Sequence, residues 1–561
     1  MASTVGSQIV LGLNENHDAS AAILTADGRC AAIATERISR RKHDDQNLMP
    51  AVHYVTTALD VPNDAVTDVV RCMSPISEPH EGASLRTHTL ERTFPGARVH
   101  NCHSQHLLHA MSAFYASTFT EAVVVVVDGA GSETDRAGAP SDETLEGPLF
   151  ECASIYHFTH NDIRKLYSEV TTHHPYEPQR EKIGLGRLYS YASKHIFQNR
   201  YDAGKVMALA AFGERQNLPS FLLPGPHVAI NQQALAMFEP PLAGGRDAMA
   251  HADLAARVQF DTTQGLLRYA QLAAEMTGLR NACFAGGVFL NCPANSAIVA
   301  SGLFGSHYFF PAATDDGVAL GASYFGMRER PVIAKELSPF LGRSYTDQDI
   351  EAALQAIPDY FTKRRLENES EVVSLAAARL AEGRVIGWFQ GGSEFGPRAL
   401  GNRSILANPA IPGMRDHINR SIKGRETFRP LAPLVRQETV HQYFEVAPWF
   451  RSPYMLLTAR CRDSLASLAP EVLHEDGSAR VQTVTQDDNE LIHRLLEAFQ
   501  QKAGMGVLIN TSLNGPEEPI VETPGDAVRL FLSKPLNDLF IGGFVISRPA
   551  DAGQPLPSTG F

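Results

Sequence analysis

EAVVVVVDGAG, residues 121–131, decides the fold class. Five consecutive valines predict a strand covered on both faces, and the Asp128-Gly129 step predicts a loop at its C-terminal end. A second strand-then-glycine stretch, ACFAGGVFLN (282–291), runs into the helix-like PANSAIVASG (293–302). Upstream, QIVLGLN (8–14) predicts a buried strand. SAAILTADGRCAAIATERI (20–38) predicts a hairpin turning at Ala26-Asp27-Gly28. Strands that end in acidic or glycine-rich loops and feed helices describe an α/β fold with its ligand at strand ends.

Further along, DIEAALQAI (349–357) and EVVSLAAARLAEG (371–383) predict helices, and RVIGWFQGG (384–392) a strand into a glycine turn. GVLINTSLN (506–514) predicts a strand, TPGDAVRLFLSK (523–534) a helix and DLFIGGFVI (538–546) a last strand. Two prolines and lost periodicity across RERPVIAKELSPFLGRSY (328–345) predict a linker or domain edge. No internal repeat is evident. The tail DAGQPLPSTGF (551–561) is expected to be loosely held.

The 561 residues are 44% hydrophobic and 20% charged, an ordinary composition for a chain of several domains. The net charge of -13 disfavours a broad nucleic-acid surface, which needs clustered positive charge. The seven cysteines are scattered with no CxxC, which favours a reducing compartment and argues against a structural zinc site. MASTVGSQIVLGL lacks the basic start and long apolar core of a signal peptide, and no apolar run is long enough to span a bilayer. A cytoplasmic protein without nucleic-acid or membrane partners is expected.

Several residues could carry chemistry. His17, in LNENHDASAA (13–22), follows the first strand, where an imidazole can take a proton near neutral pH or simply cap a turn. NCHSQHLLHAMSAFYAS (101–117), after His100, places Gln105, His106 and His109 at helical spacing. They form either a metal-binding face or a polar helix face. Asp128 closes the valine run, and Asp315-Asp316 lie in FFPAATDDGVALGAS (309–323). A buried acid needs a cation or a donor. Together with the histidines these acids make a mixed N/O set suited to iron, manganese or zinc. Gly286, Gly287 and Asn291 leave room for a nucleotide backbone or sugar, or form a tight turn.

The densest signal lies between Ser393 and Arg436. Arg398, Arg403, Arg415, Arg420, Lys423, Arg425, Arg429 and Arg436 interleave with Pro and Gly, unlike a solvated helix stripe. A pocket for two phosphate-bearing ligands fits them best. Asn510, Thr511, Ser512 and Asn514 follow a strand and could bind a carbamoyl group, with its one carbonyl and two N–H bonds.

At NHDASAAI (16–23), VVVDGAG (125–131), GKVMALAAFG (204–213), AGGVFLNCPAN (285–295), DDGVALGA (315–322), FGPRALGNRSILANP (395–409), IKGRETFRPLAP (422–433) and LINTSLN (508–514) the chain resembles the O-carbamoyltransferase family. That family includes nodulation-factor, cephamycin and antibiotic-tailoring carbamoyltransferases. The resemblance runs over nearly the whole chain. It implies an actin-like, two-lobed metal- and nucleotide-binding domain over residues 1–335. It also implies a YrdC-like α/β domain over residues 345–561 that makes carbamoyl-adenylate from carbamoyl phosphate and ATP. The acceptor is then a hydroxyl of a small molecule, such as a secondary metabolite.

Carried over residue by residue, Lys423, Arg398, Arg403, Arg425, Arg429, Asn510 and Ser512 would form the adenylation site. His17 would be the general base, and Gly286, Gly287 and Asn291 would lie along the adenosine with Lys205 near its phosphate. His109, Asp128 and Asp315 would hold a divalent metal, with iron(II) the expected ion, while Mg2+ would accompany ATP. The family usually shows a second histidine where this chain has Gln105, so Gln105, neighbouring His106 or a water is the candidate further ligand. The competing readings are a tRNA- or protein-directed carbamoyl transferase and an actin-like nucleotide-binding regulatory protein. The first needs a basic surface or, for hydrogenase-maturation relatives, CxxC modules; the second has no use for an arginine-rich second domain.

Overall fold

The computed structural model describes residues 8–73, 87–134, 148–172, 182–238, 247–330 and 335–549. The start of the stretch read for a signal peptide, part of the 328–345 linker reading and the tail at 551–561 lie outside them. The chain divides into two units: Met1–Glu36 with His43–Leu337, and Arg37–Lys42 with Ser338–Phe561.

The first unit carries two five-stranded sheets. β1 (Ile9–Asn14), β2 (Ser20–Thr25), β3 (Cys30–Ala34), β4 (Asp68–Cys72) and β5 (Arg98–Cys102) stand in the order β3-β2-β1-β4-β5. β6 (Glu121–Val127), β7 (Leu149–Thr159), β8 (Ile163–Thr172), β9 (Asn281–Ala285) and β10 (Ser306–Phe309) stand in the order β10-β9-β6-β7-β8. In each sheet the first three strands pair antiparallel, the fourth lies parallel to the first, and the fifth parallel to the fourth. The strand topology is therefore duplicated, although the sequence shows no repeat. Topology depends on the pattern of burial and connection, which different residues can satisfy. The valine run is β6, flanked by β7 and β9 and buried throughout Val123–Val127, and the expected hairpin is β2–β3. The stretch after β3 continues as a short helix, Thr35–Ser39.

One close approach sets the geometry at the end of β1. Helix Val318–Gly326 lies on β1, and a Cβ at Gly12 would stand 2.5 Å from Ser323 N and 2.6 Å from its Oγ. That contact brings the Asp315 turn, just before the helix, beside the end of β1. There Asn14 Nδ2 donates to the carbonyls of Asp315 (2.9 Å), Asp18 (3.1 Å) and His17 (3.3 Å).

The second unit is built on one sheet. β11 (Thr362–Arg365), β12 (Ile386–Phe389), β13 (Arg403–Ala407), β14 (Ala432–Arg436), β15 (Phe444–Glu445), β16 (Leu457–Cys461), β17 (Ser478–Val484), β18 (Val507–Ser512), β19 (Asp538–Ile541) and β20 (Phe544–Ser547) stand in the order β11-β20-β19-β12-β13-β18-β14-β17-β16-β15. The stretch expected as a single last strand, DLFIGGFVI, is instead the β19–β20 hairpin. Ile541 pairs with Phe544 across Gly542-Gly543, a two-residue turn that suits glycines. The expected helices are Asp347–Leu354, Glu369–Ala381 and Pro524–Ser533, the first and last opened by capping boxes at Thr346/Asp349 and Thr523/Asp526. No described helix is long and apolar enough to cross a membrane.

Gly12→Val should displace the helix at Val318–Gly326, because overpacking a tight contact costs about 1–3 kcal/mol or more. Calorimetry should show a lowered first melting transition. An unchanged Tm would contradict this packing.

Candidate functional site

The first unit gathers three side chains from three segments. Gln105 opens helix Gln105–Ala116, which Ser104 caps, and His109 lies one turn further on the same face. Asp128 follows β6, and Asp315 opens the turn before helix Val318–Gly326. His109 Nε2 stands 3.4 Å from Asp315 Oδ1 and 3.6 Å from Asp128 Oδ2. Neither ring nitrogen has a hydrogen-bond partner among the described residues, although the imidazole is fully buried. One donor atom from each of His109, Asp128 and Asp315 lies within 4.8 Å of the others.

Electrostatics tie the three together. Burial pushes the Asp315 carboxyl up, and the charge of Asp128 pushes it further. Burial alone would keep His109 neutral, but the two carboxylates outweigh it and raise its pKa to about 9. Gln105 Nε2 donates to Asp315 Oδ1 at 2.6 Å, so of the two candidate neighbours Gln105 is the one in the cluster. His106 turns toward Ser154 Oγ (2.8 Å), and burial lowers its pKa to about 4. His100 sits on β5 against Asp68 (2.9 Å), and His103 is exposed.

The glycine turn lies at the same place. Gly286 takes φ +93, with its would-be Cβ pressed against the backbone of Val127, and Gly287's would stand 3.2 Å from Asp128 Oδ1. Asn291 stands behind the turn. It caps helix Cys292–Ala300 by accepting from Ala294 N and exchanges two amide hydrogen bonds with Gln259 (2.8 and 3.1 Å). Lys205 pairs with Asp202 at 3.0 Å.

His17 belongs to a neighbouring group that the sequence only half revealed. Asp18, at φ +58, lies 3.1 Å from His17 Nδ1 and 2.6 Å from His43 Nδ1, and both rings stack with Tyr201 (4.9 and 4.5 Å between centroids). Burial opposes protonation of His17, but Asp18 prevails and raises its pKa. His43 and Tyr201 gave no motif: one lies in a charged run, the other in a loop.

The second unit gathers cations. A turn of π-helix, Ile418–Ile422, delivers Lys423 into the interior, a distortion that often marks functional positions. Lys423 Nζ donates to Asn514 Oδ1 (2.6 Å), Asn514 O (3.1 Å), Ser512 Oγ (3.2 Å) and Ser512 O. Burial first, then Arg425 and Arg429, drive its pKa well below the lysine range. Arg425 is likewise depressed to about 9 by burial, Arg429, Arg480 and Arg398. Lys42 adds to the positive field on Lys423, while Glu518 and Glu426 partly offset it. Arg480, on β17, lies far from the basic run in sequence and was not foreseen.

Other members of the run stand elsewhere. Arg403 is fully buried: its guanidinium lies 3.6 Å above the Phe389 ring and donates to the carbonyls of Gln390 (2.7 Å), Gly391 (3.0 Å) and Asn402 (3.1 Å). Its donors thus brace backbone instead of facing the cluster. Arg415 reaches Leu473 O, Arg420 pairs with Asp416 in solvent, and Arg436 meets Gln500 and Glu497. The loop bearing Arg398 is held by Glu394, whose Oε1 accepts from the backbone N–H of Leu400 (2.8 Å), Asn402 (2.8 Å) and Arg403 (3.1 Å). Asn510 Nδ2 donates to Ala399 O (3.2 Å) on the same loop.

One unit thus holds a buried lysine among arginines, and the other a histidine–carboxylate cluster. The chain belongs to the carbamoyltransferase family and is a transferase: the carbamoyltransferase N-terminus model matches residues 225–324 and the C-terminus model residues 377–548. It is similar to nodulation protein NolNO of Sinorhizobium fredii, 31% identical over 95% of this chain and 79% of that protein. The 3'-hydroxymethylcephem-O-carbamoyltransferase of Amycolatopsis lactamdurans is 35% identical over 61% of this chain and 64% of its own length. The solved structure of full-length HypF in its phosphate- and nucleotide-bound form aligns with 57% of this chain and 55% of its own at 14% identity. Its TM-score of 0.33 is too low to carry an argument.

Glu394→Ala would leave three buried N–H groups unpaired, at about 1–3 kcal/mol each and less than additively. Hydrogen exchange at Leu400, Asn402 and Arg403 should accelerate by more than tenfold. Unchanged protection there would contradict the role assigned to Glu394.

Proposed function

We propose that this chain is an ATP-dependent O-carbamoyltransferase acting on a hydroxyl of a small molecule. The observation that carries the reading is the buried Lys423–arginine cluster within a carbamoyltransferase chain. Lys423 and its neighbours repel one another and lose solvation, costs that bound phosphate groups would offset.

The chemistry has three steps. Water cleaves carbamoyl phosphate to carbamate and phosphate. A carbamate oxygen then attacks the α-phosphorus of ATP and expels pyrophosphate, giving carbamoyl-adenylate. Finally the acceptor oxygen attacks the carbamoyl carbon, its proton passes to a base, and AMP leaves. Lys423, Arg398, Arg425 and Arg429 would neutralise the phosphates in the first two steps. Ser512 and Asn510 would hold the carbamoyl group, with Mg2+ entering bound to ATP. We read this second unit as the YrdC-like adenylating domain.

The first unit, which we read as actin-like on its duplicated strand order, would carry out the third step. With Nδ1 turned to Asp18, His17 keeps Nε2, which has no partner among the described residues, to take the acceptor proton. Gly286 and Gly287 would let the nucleotide pass close to the backbone, Asn291 holds their turn, and Lys205 would meet phosphate. His109, Asp128 and Asp315 suit a divalent cation such as iron(II): two half-buried carboxylates converge on a buried imidazole whose nitrogens are otherwise unpartnered. Such an ion would supply Lewis acidity for the carbamoyl carbonyl. The cephem-modifying relative supports a hydroxylated secondary metabolite as acceptor. A cytoplasmic location, where ATP and carbamoyl phosphate are made, belongs to the same proposal.

Lys423→Ala should abolish carbamoyl-phosphate-dependent pyrophosphate release; normal release would contradict the assignment. His17→Asn should still release pyrophosphate but slow transfer to an alcohol roughly 10²–10⁴-fold. Equal loss of both half-reactions would make His17 structural.

Gln105→His should tighten binding of iron(II) in calorimetry, because imidazole is a stronger ligand than an amide oxygen. Unaltered affinity would remove Gln105 from the ligand shell.

A further inference from the structure

We infer that Gln482 sets which acyl phosphate the second unit accepts, by locking the Asn510 amide so that only its carbonyl oxygen is offered to the ligand. The inference rests on reading the Asn510–Lys423 region as the acyl-phosphate site.

The lock follows from what each group can do. A backbone carbonyl only accepts hydrogen bonds. Leu400 O lies 2.7 Å from Gln482, so the atom facing it is Nε2, and Gln482 Oε1 points to Asn510. That oxygen also only accepts, so Asn510 presents Nδ2 to it, at 2.7 Å. Ala399 O takes a second bond from the same nitrogen at 3.2 Å. Both Nδ2 hydrogens are spent, and neither amide can turn over without setting acceptor against acceptor. What remains is Asn510 Oδ1, buried and with no hydrogen-bond partner among the described residues. Asn510 is 1% exposed and Gln482 2%, so water does not readily release the lock.

The free oxygen lies on the strand face that carries the anion site. Asn510 and Ser512 are two residues apart on β18 and share a face of the sheet. Ser512 Oγ lies 3.2 Å from Lys423 Nζ. Cations, which take phosphate, thus stand on the same side of β18 as one buried acceptor, which takes an N–H. Carbamoyl phosphate brings that N–H. Acetyl phosphate, of the same shape, brings a methyl group and leaves Oδ1 buried and unpaired, the kind of mismatch on which an enzyme discriminates strongly.

Pyrophosphate release from ATP, measured with carbamoyl phosphate and with acetyl phosphate, tests the inference. The wild-type protein should prefer carbamoyl phosphate about a hundredfold in kcat/KM. Gln482→Met, of similar volume, removes the shorter of the two hydrogen bonds that hold the Asn510 amide and should reduce that preference to within a few-fold, mainly by raising KM for carbamoyl phosphate. A preference that survives the substitution overturns the inference, as does an equal loss on both substrates. If Gln482→Met does not fold, binding to the wild-type protein decides: phosphonoacetamide should bind at least tenfold more tightly than acetonylphosphonate, and equal binding overturns the inference. Wild-type protein that releases no pyrophosphate with either acyl phosphate would defeat the underlying reading and this inference with it, a result distinct from release without selectivity.

Discussion

Asp128 and Asp315 share one buried imidazole, and the first unit is arranged so that they can. The three side chains arrive from the end of β6, from helix Gln105–Ala116 and from the turn before helix Val318–Gly326. Two carboxylates this close repel, and burial sharpens the repulsion, so the arrangement persists only with a positive partner between them. His109 supplies it in the protein alone, which is why its pKa rises despite complete burial. The backbone contacts that bring the elements this close, at Gly12 and at Gly286, are therefore part of the electrostatic design.

The second unit answers a like-charge problem of the opposite sign. Lys423 is accommodated by four oxygens of Ser512 and Asn514, while Arg425 is steadied by Asn419 Oδ1 at 2.8 Å. Around them a set of polar groups binds backbone: Glu394 gathers three N–H groups, Arg403 three carbonyls, and Asn510 with Gln482 two more. Such networks hold a loop rigid when every member is satisfied, and a member left with one bare atom points to where a ligand completes it.

Much of this was legible in the sequence. A run of five valines closed by Asp128 could only be a covered strand with an acid at its end, and helical spacing put Gln105 and His109 on one face. What could not be read was the target of each polar side chain. Arg398 and Arg403 sit in one motif, yet one joins the cations and the other braces carbonyls under Phe389, because only the fold decides whether an arginine faces a cavity or a turn. Arg480 and Gln482 lie in no sequence motif, and the pairing of β17 with β14 and β16 is what positions them. Asn291, expected along a nucleotide, is spent on a helix cap and on Gln259. The duplicated sheets leave no trace in the sequence because topology repeats without residues repeating, and Gly542-Gly543 turns one expected strand into two.

The proposed reaction bonds a carbamate oxygen to AMP before the acceptor attacks. Carbamoyl phosphate labelled with 18O at its carbonyl, incubated with ATP, the protein and a hydroxylated acceptor, tests this directly. The two carbamate oxygens become equivalent, so half of the AMP released should carry the label, in step with carbamoylated product. Carbamoylated product formed without labelled AMP would contradict the account.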